Sequence, residues 1–265
     1  MSNSTLNIVK IGGNVIDDDI QLETFLEKFA AIPGKKILVH GGGKIATRLA
    51  SKLGLEAQMV EGRRITDKDM LDVVTMVYAG LTNKKIVATL QKYLCDAIGL
   101  SGADGNVIKA VKRPVKEIDY GYAGDILADS VNSLAIKKFL DAGFTPIFSA
   151  ITHNGSGQLL NTNADTIASA LATAMADHYE TSLIYCFEKN GVLLDVNDDN
   201  SVIENITAKD FTIYRERGII SDGMIPKLQN AFDAIHKGVK SVYVGNASNL
   251  HLFQQQKFGT CLVNK

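Results

Sequence analysis

Residues 37–46 read Ile37-Leu38-Val39-His40-Gly41-Gly42-Gly43-Lys44-Ile45-Ala46: an apolar run that passes directly into three glycines and then into helical sequence. An apolar run without polar alternation reads as a strand buried on both faces, the pattern of parallel sheets covered by helices. The glycines let the backbone turn tightly at the strand's carboxyl end and bring N–H groups close to an anion at the start of the next helix. A similar arrangement lies upstream, where Ile8-Val9-Lys10-Ile11 enters Gly12-Gly13. In an open α/β sheet, both loops fall on the edge where ligands bind.

Working outward, Thr145-Pro146-Ile147-Phe148, Leu183-Ile184-Tyr185-Cys186 and Ser241-Val242-Tyr243-Val244 read as further buried strands. Helical periodicity predicts helices over about 20–30, 44–53, 67–80, 84–98, 131–142, 164–177, 207–217 and 225–237. Gly54, Gly143 and Gly238 each follow such a run as left-handed helix ends would. Repeated βα units imply an α/β fold, a mainly parallel sheet with helices on both sides. Residues 57–66 and 107–126 break the rhythm and read as two hairpins at the sheet's edge or rim, additions that often cover ligands.

Composition narrows the function classes. Lys and Arg number 28 against 29 Asp and Glu, so a net charge of −1 offers no field for nucleic acid or an anionic membrane. A small-molecule partner is expected. Cys95, Cys186 and Cys261 are scattered and read as buried thiols in a reducing compartment. No window approaches a membrane span, and the first residues leave no room for a signal peptide, so the expected location is cytoplasmic. With four prolines and no linker-like tract, residues 1–265 are expected to form one domain.

Phosphoryl transfer needs positive charge that follows the moving group, plus backbone donors and a metal for the other phosphates. Lys10 beside Gly12-Gly13 could supply that charge, as could Lys227 after Ser221-Asp222-Gly223-Met224-Ile225-Pro226, though either alone also reads as a solvated surface lysine. Pro226 suits a first helical turn, with Asp222 or Gly223 as its cap. Asn161-Thr162-Asn163-Ala164-Asp165 opens an Ala-rich helix. It reads as a plain N-cap, or as a site where Asn161 meets a substrate carboxylate and Asp165 orients the lysines. The Walker A pattern is absent. Gly41-x-Gly43-x-x-Ala46, with Glu61 downstream, fits a dinucleotide fingerprint, so an NAD(P) oxidoreductase is the competing class. An inactive ligand sensor is another, against which the retention of both lysines and Asp165 argues.

Taken in order, Lys10-Ile-Gly12-Gly13, His40-Gly41-Gly42-Gly43, Gly62-Arg63-Arg64-Ile65-Thr66, Asn161-Thr-Asn163-Ala-Asp165 and Ser221-Asp222-Gly223-Met-Ile-Pro-Lys227 resemble the acetylglutamate kinases of the amino-acid kinase family. Gly121-Tyr-Ala-Gly124-Asp125-Ile126 is similar to that family's second hairpin. The resemblance implies a three-layer αβα sandwich around a mainly parallel sheet of about eight strands. An acyl-glutamate half would precede roughly residue 175 and a nucleotide half would follow it. It further implies transfer of the γ-phosphoryl group of ATP, with Mg²⁺, to the side-chain carboxylate of N-acetylglutamate in arginine biosynthesis. Mg²⁺ would be held chiefly by phosphates and water.

By the same resemblance, Lys10 and Lys227 would stabilise the transition state, held by Asp165. Backbone N–H groups of Gly12, Gly13 and Gly42 would line the phosphoryl path. Gly42, Gly43, Arg64, Asn161 and Asn163 would bind the acylated amino acid, with Arg64 forked onto its α-carboxylate. The nucleotide would lie against Glu188, Lys189, Asn190, Gly191, Val192, Leu193, Ile219, Ile220, Ser221 and Gly223. Phe187-Glu188-Lys189 departs from the family's usual Thr/Ser-Asp-Val run. With nine residues ahead of Lys10, a homodimer with little inhibition by arginine is expected, since the arginine-sensitive hexamers carry an extra N-terminal helix. Arg63 stands where relatives commonly show an apolar residue. It would face solvent on the lid hairpin, or pair with the distal carboxylate of an N-succinyl group if the strand end lies near the acyl pocket.

Overall fold

The computed structural model describes residues 4–60, 62–220 and 224–264. Strand β1 (Thr5–Ile11) runs into a short helix α1 (Gly13–Asp17) and then α2 (Asp19–Ala30), and β2 (Lys35–His40) passes through the glycines into α3 (Gly43–Lys52). A hairpin of β3 (Met59–Val60) and β4 (Arg63–Arg64) precedes α4 (Lys68–Thr75), a π-helical segment Met76–Thr82 and α5 (Asn83–Lys92). Next come β5 (Ala97–Leu100), β6 (Val111–Lys112), β7 (Ala123–Asp125), α6 (Ser133–Asp141), β8 (Thr145–Ser149), β9 (Ile151–His153), β10 (Leu159–Thr162) and α7 (Ala164–Met175). After these lie β11 (Glu180–Phe187), β12 (Asn205–Thr207), α8 (Ala208–Glu216), α9 (Ile225–His236), β13 (Ser241–Asn246), a 3-10 stretch Ala247–Gln255 and β14 (Thr260–Val263).

Eight strands form the central sheet in the order β12-β14-β13-β11-β1-β2-β8-β5. All its pairs are parallel except β13 with β14. Each strand alternates its side chains between two apolar layers, which explains the unbroken apolar runs. Leu6, Ile8, Ile37 and Val39 enter a core with α3, α4, α6, α7 and α9, whereas Val9, Ile11 and Leu38 enter a second core with α2, α5 and the 3-10 stretch. The result is the expected αβα sandwich.

Two local features depart from the periodicity. The helix expected to reach residue 98 stops at Lys92, because Leu94 takes a left-handed φ of 55° and Cys95 N–H folds back to the Leu90 carbonyl at 3.1 Å. Ala97–Leu100 then pairs with β8 as the edge strand. The second hairpin is real as β6 with β7, but it joins β10 and β9 in a four-stranded sheet of its own. The first hairpin, β3 with β4, stands alone. The N-cap of α9 is Met224; Asp222 and Gly223, the caps expected from the sequence, lie outside the described residues.

Candidate active site

Strands β1 and β2 are parallel neighbours in a register that sets Ile11 opposite His40, so the two glycine loops emerge side by side at the carboxyl edge. Lys10 shares its strand face with Leu6 and Ile8 and therefore points toward α7. Asn163 caps α7 by accepting from Thr166 N–H at 3.0 Å, which fixes Asp165 in the first turn. Lys10 Nζ lies 2.8 Å from Asp165 Oδ1. Their side chains are 12% and 32% exposed, so the pair is only partly screened by solvent. The contact is an ion pair between the ammonium and the carboxylate.

Strand β11 runs beside β1 with Tyr185 opposite Lys10. Tyr185 and Phe187, two residues apart, put their rings on one face, stacked at 6.1 Å and nearly parallel at 6°. The Tyr185 hydroxyl donates to the backbone carbonyl of Asp165 at 3.3 Å. Lys227, in the first turn of α9, brings its Nζ to 4.5 Å from the Phe187 ring centroid, and Lys10 Nζ lies 6.0 Å from the same centroid. Sequence reasoning gave both lysines to Asp165. Among the described residues Asp165 pairs with Lys10 alone, and Lys227 rests on an aromatic face. Asp165, Phe187, Lys227, Asn163 and Arg63 border a cavity of about 120 Å³.

An adjoining cavity of about 190 Å³ is bordered by Gly42, Gly43, Arg63, Arg64, Asn161 and Asn163, so every residue expected to bind the acyl amino acid converges there. Gly42 has φ 151°, and a Cβ on it would sit 3.0 Å from the Tyr78 ring, so only glycine fits. Arg64 is nearly buried. Its Nη2 donates to Gly43 O at 2.9 Å and to Thr47 Oγ1 at 2.8 Å, so half of the fork expected on a substrate carboxylate already braces α3. Asn161 Nδ2 donates to Thr66 Oγ1 at 2.9 Å. Behind the loop, the fully buried His40 closes a hydrogen bond to Gly41 O at 2.8 Å and another with Asn83 Nδ2 at 3.0 Å. Burial pushes the imidazole pKa down to about 4, leaving a neutral ring beneath the glycines.

Several expected contacts are not gathered here. The Gly12 N–H, assigned to the phosphoryl path, donates instead to the Cys186 carbonyl at 3.2 Å and so extends the β1–β11 ladder. Gly13 opens α1, with open space where a side chain would stand. Among the residues expected at the nucleotide, Glu188 accepts a hydrogen bond from Asn14 Nδ2, and Asn14 in turn accepts one from Lys44. Lys189 pairs with Asp199 at 2.8 Å, and Asn190 donates to the Asp199 carbonyl. Gly191, Val192 and Leu193 are packed around Thr260 and Val202, with Val192 and Leu193 buried. Ile220 is buried and Ile219 half-buried beside it. Ser221 and Gly223 lie outside the described residues, as does Glu61, the acid of the dinucleotide reading.

Residues 5–246 match the Amino acid kinase family, and the chain belongs to it. Its relatives include the acetylglutamate kinase of Phocaeicola vulgatus, 52% identical over 246 residues that span 93% of this chain and 95% of that protein. The acetylglutamate kinase of Cytophaga hutchinsonii is 50% identical over 261 residues, covering 97% and 98%. Among solved structures, a Streptococcus mutans protein superposes with TM-score 0.75 at 26% identity, covering 98% of this chain and 99% of its own. The carbamate kinase of Giardia lamblia bound to AMP-PNP superposes with TM-score 0.73 at 13% identity over the full length of both, a likeness of fold alone. Family membership removes the NAD(P) oxidoreductase reading of the glycine loop.

Proposed function

We propose that the protein transfers the γ-phosphoryl group of ATP to the side-chain carboxylate of N-acetyl-L-glutamate, giving an acyl phosphate and ADP in arginine biosynthesis. The observation that carries this reading is the convergence of Lys10, Asp165 and Lys227 beside the cavity lined by Gly42, Arg64 and Asn161. A carboxylate oxygen of the acceptor attacks γ-phosphorus, the bond to the β,γ-bridging oxygen breaks, and ADP leaves with that electron pair. Negative charge spreads over the transferring oxygens, where two ammonium groups stabilise it more than they stabilise the ground state. The acceptor is bound by elements before about residue 175 and the nucleotide by those after it.

Mg²⁺ enters with the nucleotide. The carboxylate nearest the lysines, Asp165, is paired with Lys10, which fits a cation carried by phosphate oxygens and water. A cytoplasmic homodimer completes the reading. The exposed Leu81 and Leu94 flank α5, which packs on the edge strand β5, and support a second copy there. Sedimentation tests it, and a monomer would refute it.

One observation favours a second acyl group. Arg63 borders both cavities, half-buried, and makes no ion pair among the described residues. A guanidinium there would suit the distal carboxylate of N-succinyl-L-glutamate, discriminating by roughly ten- to a hundred-fold in kcat/KM. The deciding experiment is ADP release with N-acetylglutamate, N-succinylglutamate, glutamate and aspartate compared side by side. Activity with neither acylated compound would sink the proposal, and an acetyl-to-succinyl ratio unchanged by Arg63→Leu would sink the second reading.

A further inference from the structure

Lys227 poses a physical problem that the ion pair at Lys10 does not. It is exposed, it stands on the first turn of α9, and no carboxylate pairs with it among the described residues. A lysine side chain held by nothing samples many rotamers, and ordering it on substrate binding costs free energy. The one described contact that restrains its ammonium is the Phe187 ring, at 4.5 Å from the centroid and well within the range of a cation–π attraction. Lys10 approaches the same ring at 6.0 Å. The ring is itself fixed by stacking on Tyr185, and the Tyr185 hydroxyl bonds to the backbone of Asp165, the partner of Lys10. One chain of contacts therefore joins both lysines.

We propose that Phe187 is a positioning residue whose ring face holds Lys227, and at longer range Lys10, in the geometry that receives the transferring phosphoryl group. This rests on the kinase reading above for its consequence, though not for its geometry. An aromatic face suits the task better than an acid would. A carboxylate beside Lys227 would neutralise it and repel the incoming phosphates, whereas a ring attracts the cation through its quadrupole and leaves the full charge available. Two ammonium groups on one ring repel each other, and Asp165 offsets this at Lys10, the one farther from the ring.

The test replaces Phe187 with 4-fluoro-, 3,5-difluoro- and 3,4,5-trifluorophenylalanine, which withdraw charge from the ring face at nearly constant shape. Log kcat should fall steadily with fluorination while both KM values stay level, for a total loss between about two- and thirty-fold. Phe187→Tyr should retain kcat, and Phe187→Leu should lose it. A purely structural ring would leave kcat flat across the fluorinated series, and that result overturns the proposal. A second readout needs no turnover. With lysines carrying ¹³C-methyl labels, and the Lys227 signal identified through Lys227→Arg, that signal should lie upfield in the wild type and return to its ordinary position in Phe187→Leu. An unshifted Lys227 signal overturns the placement whatever the activity. A wild type silent toward every acyl acceptor, with the upfield signal present, would sink the kinase reading and leave the placement standing.

Discussion

Arg64 donates to the carbonyl oxygen of Gly43 at 2.9 Å, tying the first hairpin to the first turn of α3. The same nitrogen reaches Thr47, and Nη1 lies 3.8 Å from the Met70 sulfur, so the guanidinium that borders the cavity beside Gly42 and Asn161 is held at both arms. A lysine could keep one of these bonds but has no fork to divide. Arg64→Lys should therefore raise the acceptor KM by roughly tenfold or more while changing kcat less. Initial rates over a range of N-acetylglutamate concentrations measure this, and an unchanged KM would place Arg64 outside the binding surface.

Removing either lysine should act on the chemical step. Lys10→Ala and Lys227→Ala should each lower kcat by roughly 10²–10³ or more, with smaller movements in KM. Lys227 is exposed and makes no ion pair among the described residues, so its variant should also melt within a few degrees of wild type. Wild-type turnover in either variant would remove that lysine from the reaction.

Asp165→Asn separates charge from shape. The backbone of Asp165, not its carboxylate, accepts from Tyr185, so α7 should stay seated in the variant. Lys10 nevertheless loses the charge that aims it at 2.8 Å. We expect kcat to fall by about tenfold or more with an unchanged circular dichroism spectrum. Equal turnover in variant and wild type would mean that the pair is structural.

His40 makes stability depend on pH in a window that can be stated in advance. Its folded pKa of about 4 lies below the ordinary 6.5, so between these values the unfolded chain binds the proton more strongly. Stability from this group is thus fully present above pH 6.5 and is lost as the pH falls toward 4. Between pH 7 and pH 5 the loss should be roughly 2 kcal/mol. Urea denaturation at both pH values should show that loss in wild type and much less of it in His40→Asn, which cannot take up the proton. Carboxylates with lowered pKa, such as Asp141 and Glu23, titrate at lower pH and are common to both proteins. Parallel slopes for the two proteins would refute the assignment.

The placement of Gly42, Asn163 and Lys10 was legible because their contacts are local to the motifs. Gly42 must be glycine for its backbone, Asn163 must cap α7, and Lys10 must alternate with Val9 and Ile11, and each of these constraints is written within a few residues. The lysine contacts were harder to read. That Lys227 rests on Phe187 depends on how α9 lies over β11, and no spacing in the sequence encodes it, although Tyr185 and Phe187 do share the period of two that puts rings on one face. The segment expected at the nucleotide carries a second constraint. In Gly191-Val192-Leu193 the side chains of Val192 and Leu193 are buried and serve the core, so the motif's apolar residues are explained by packing alone. The strand at Ala97–Leu100 was hidden because it is only four residues long and starts five residues after the helix ends, with Ala97 and Ile98 prolonging the apolar period of α5.

The order β12-β14-β13 carries a consequence for how the chain becomes a structure. Strand β14 is threaded between two strands that precede it, and Asn205 finds its partner only at Cys261. During synthesis β12 therefore waits, with its backbone donors and acceptors open, until β14 has left the ribosome. Non-local pairings of this kind are slow to form and leave strand edges free to meet the wrong neighbour. A newly made chain is most vulnerable to aggregation and proteolysis in that interval, and it is there, more than at the cleft, that a chaperone would find something to hold.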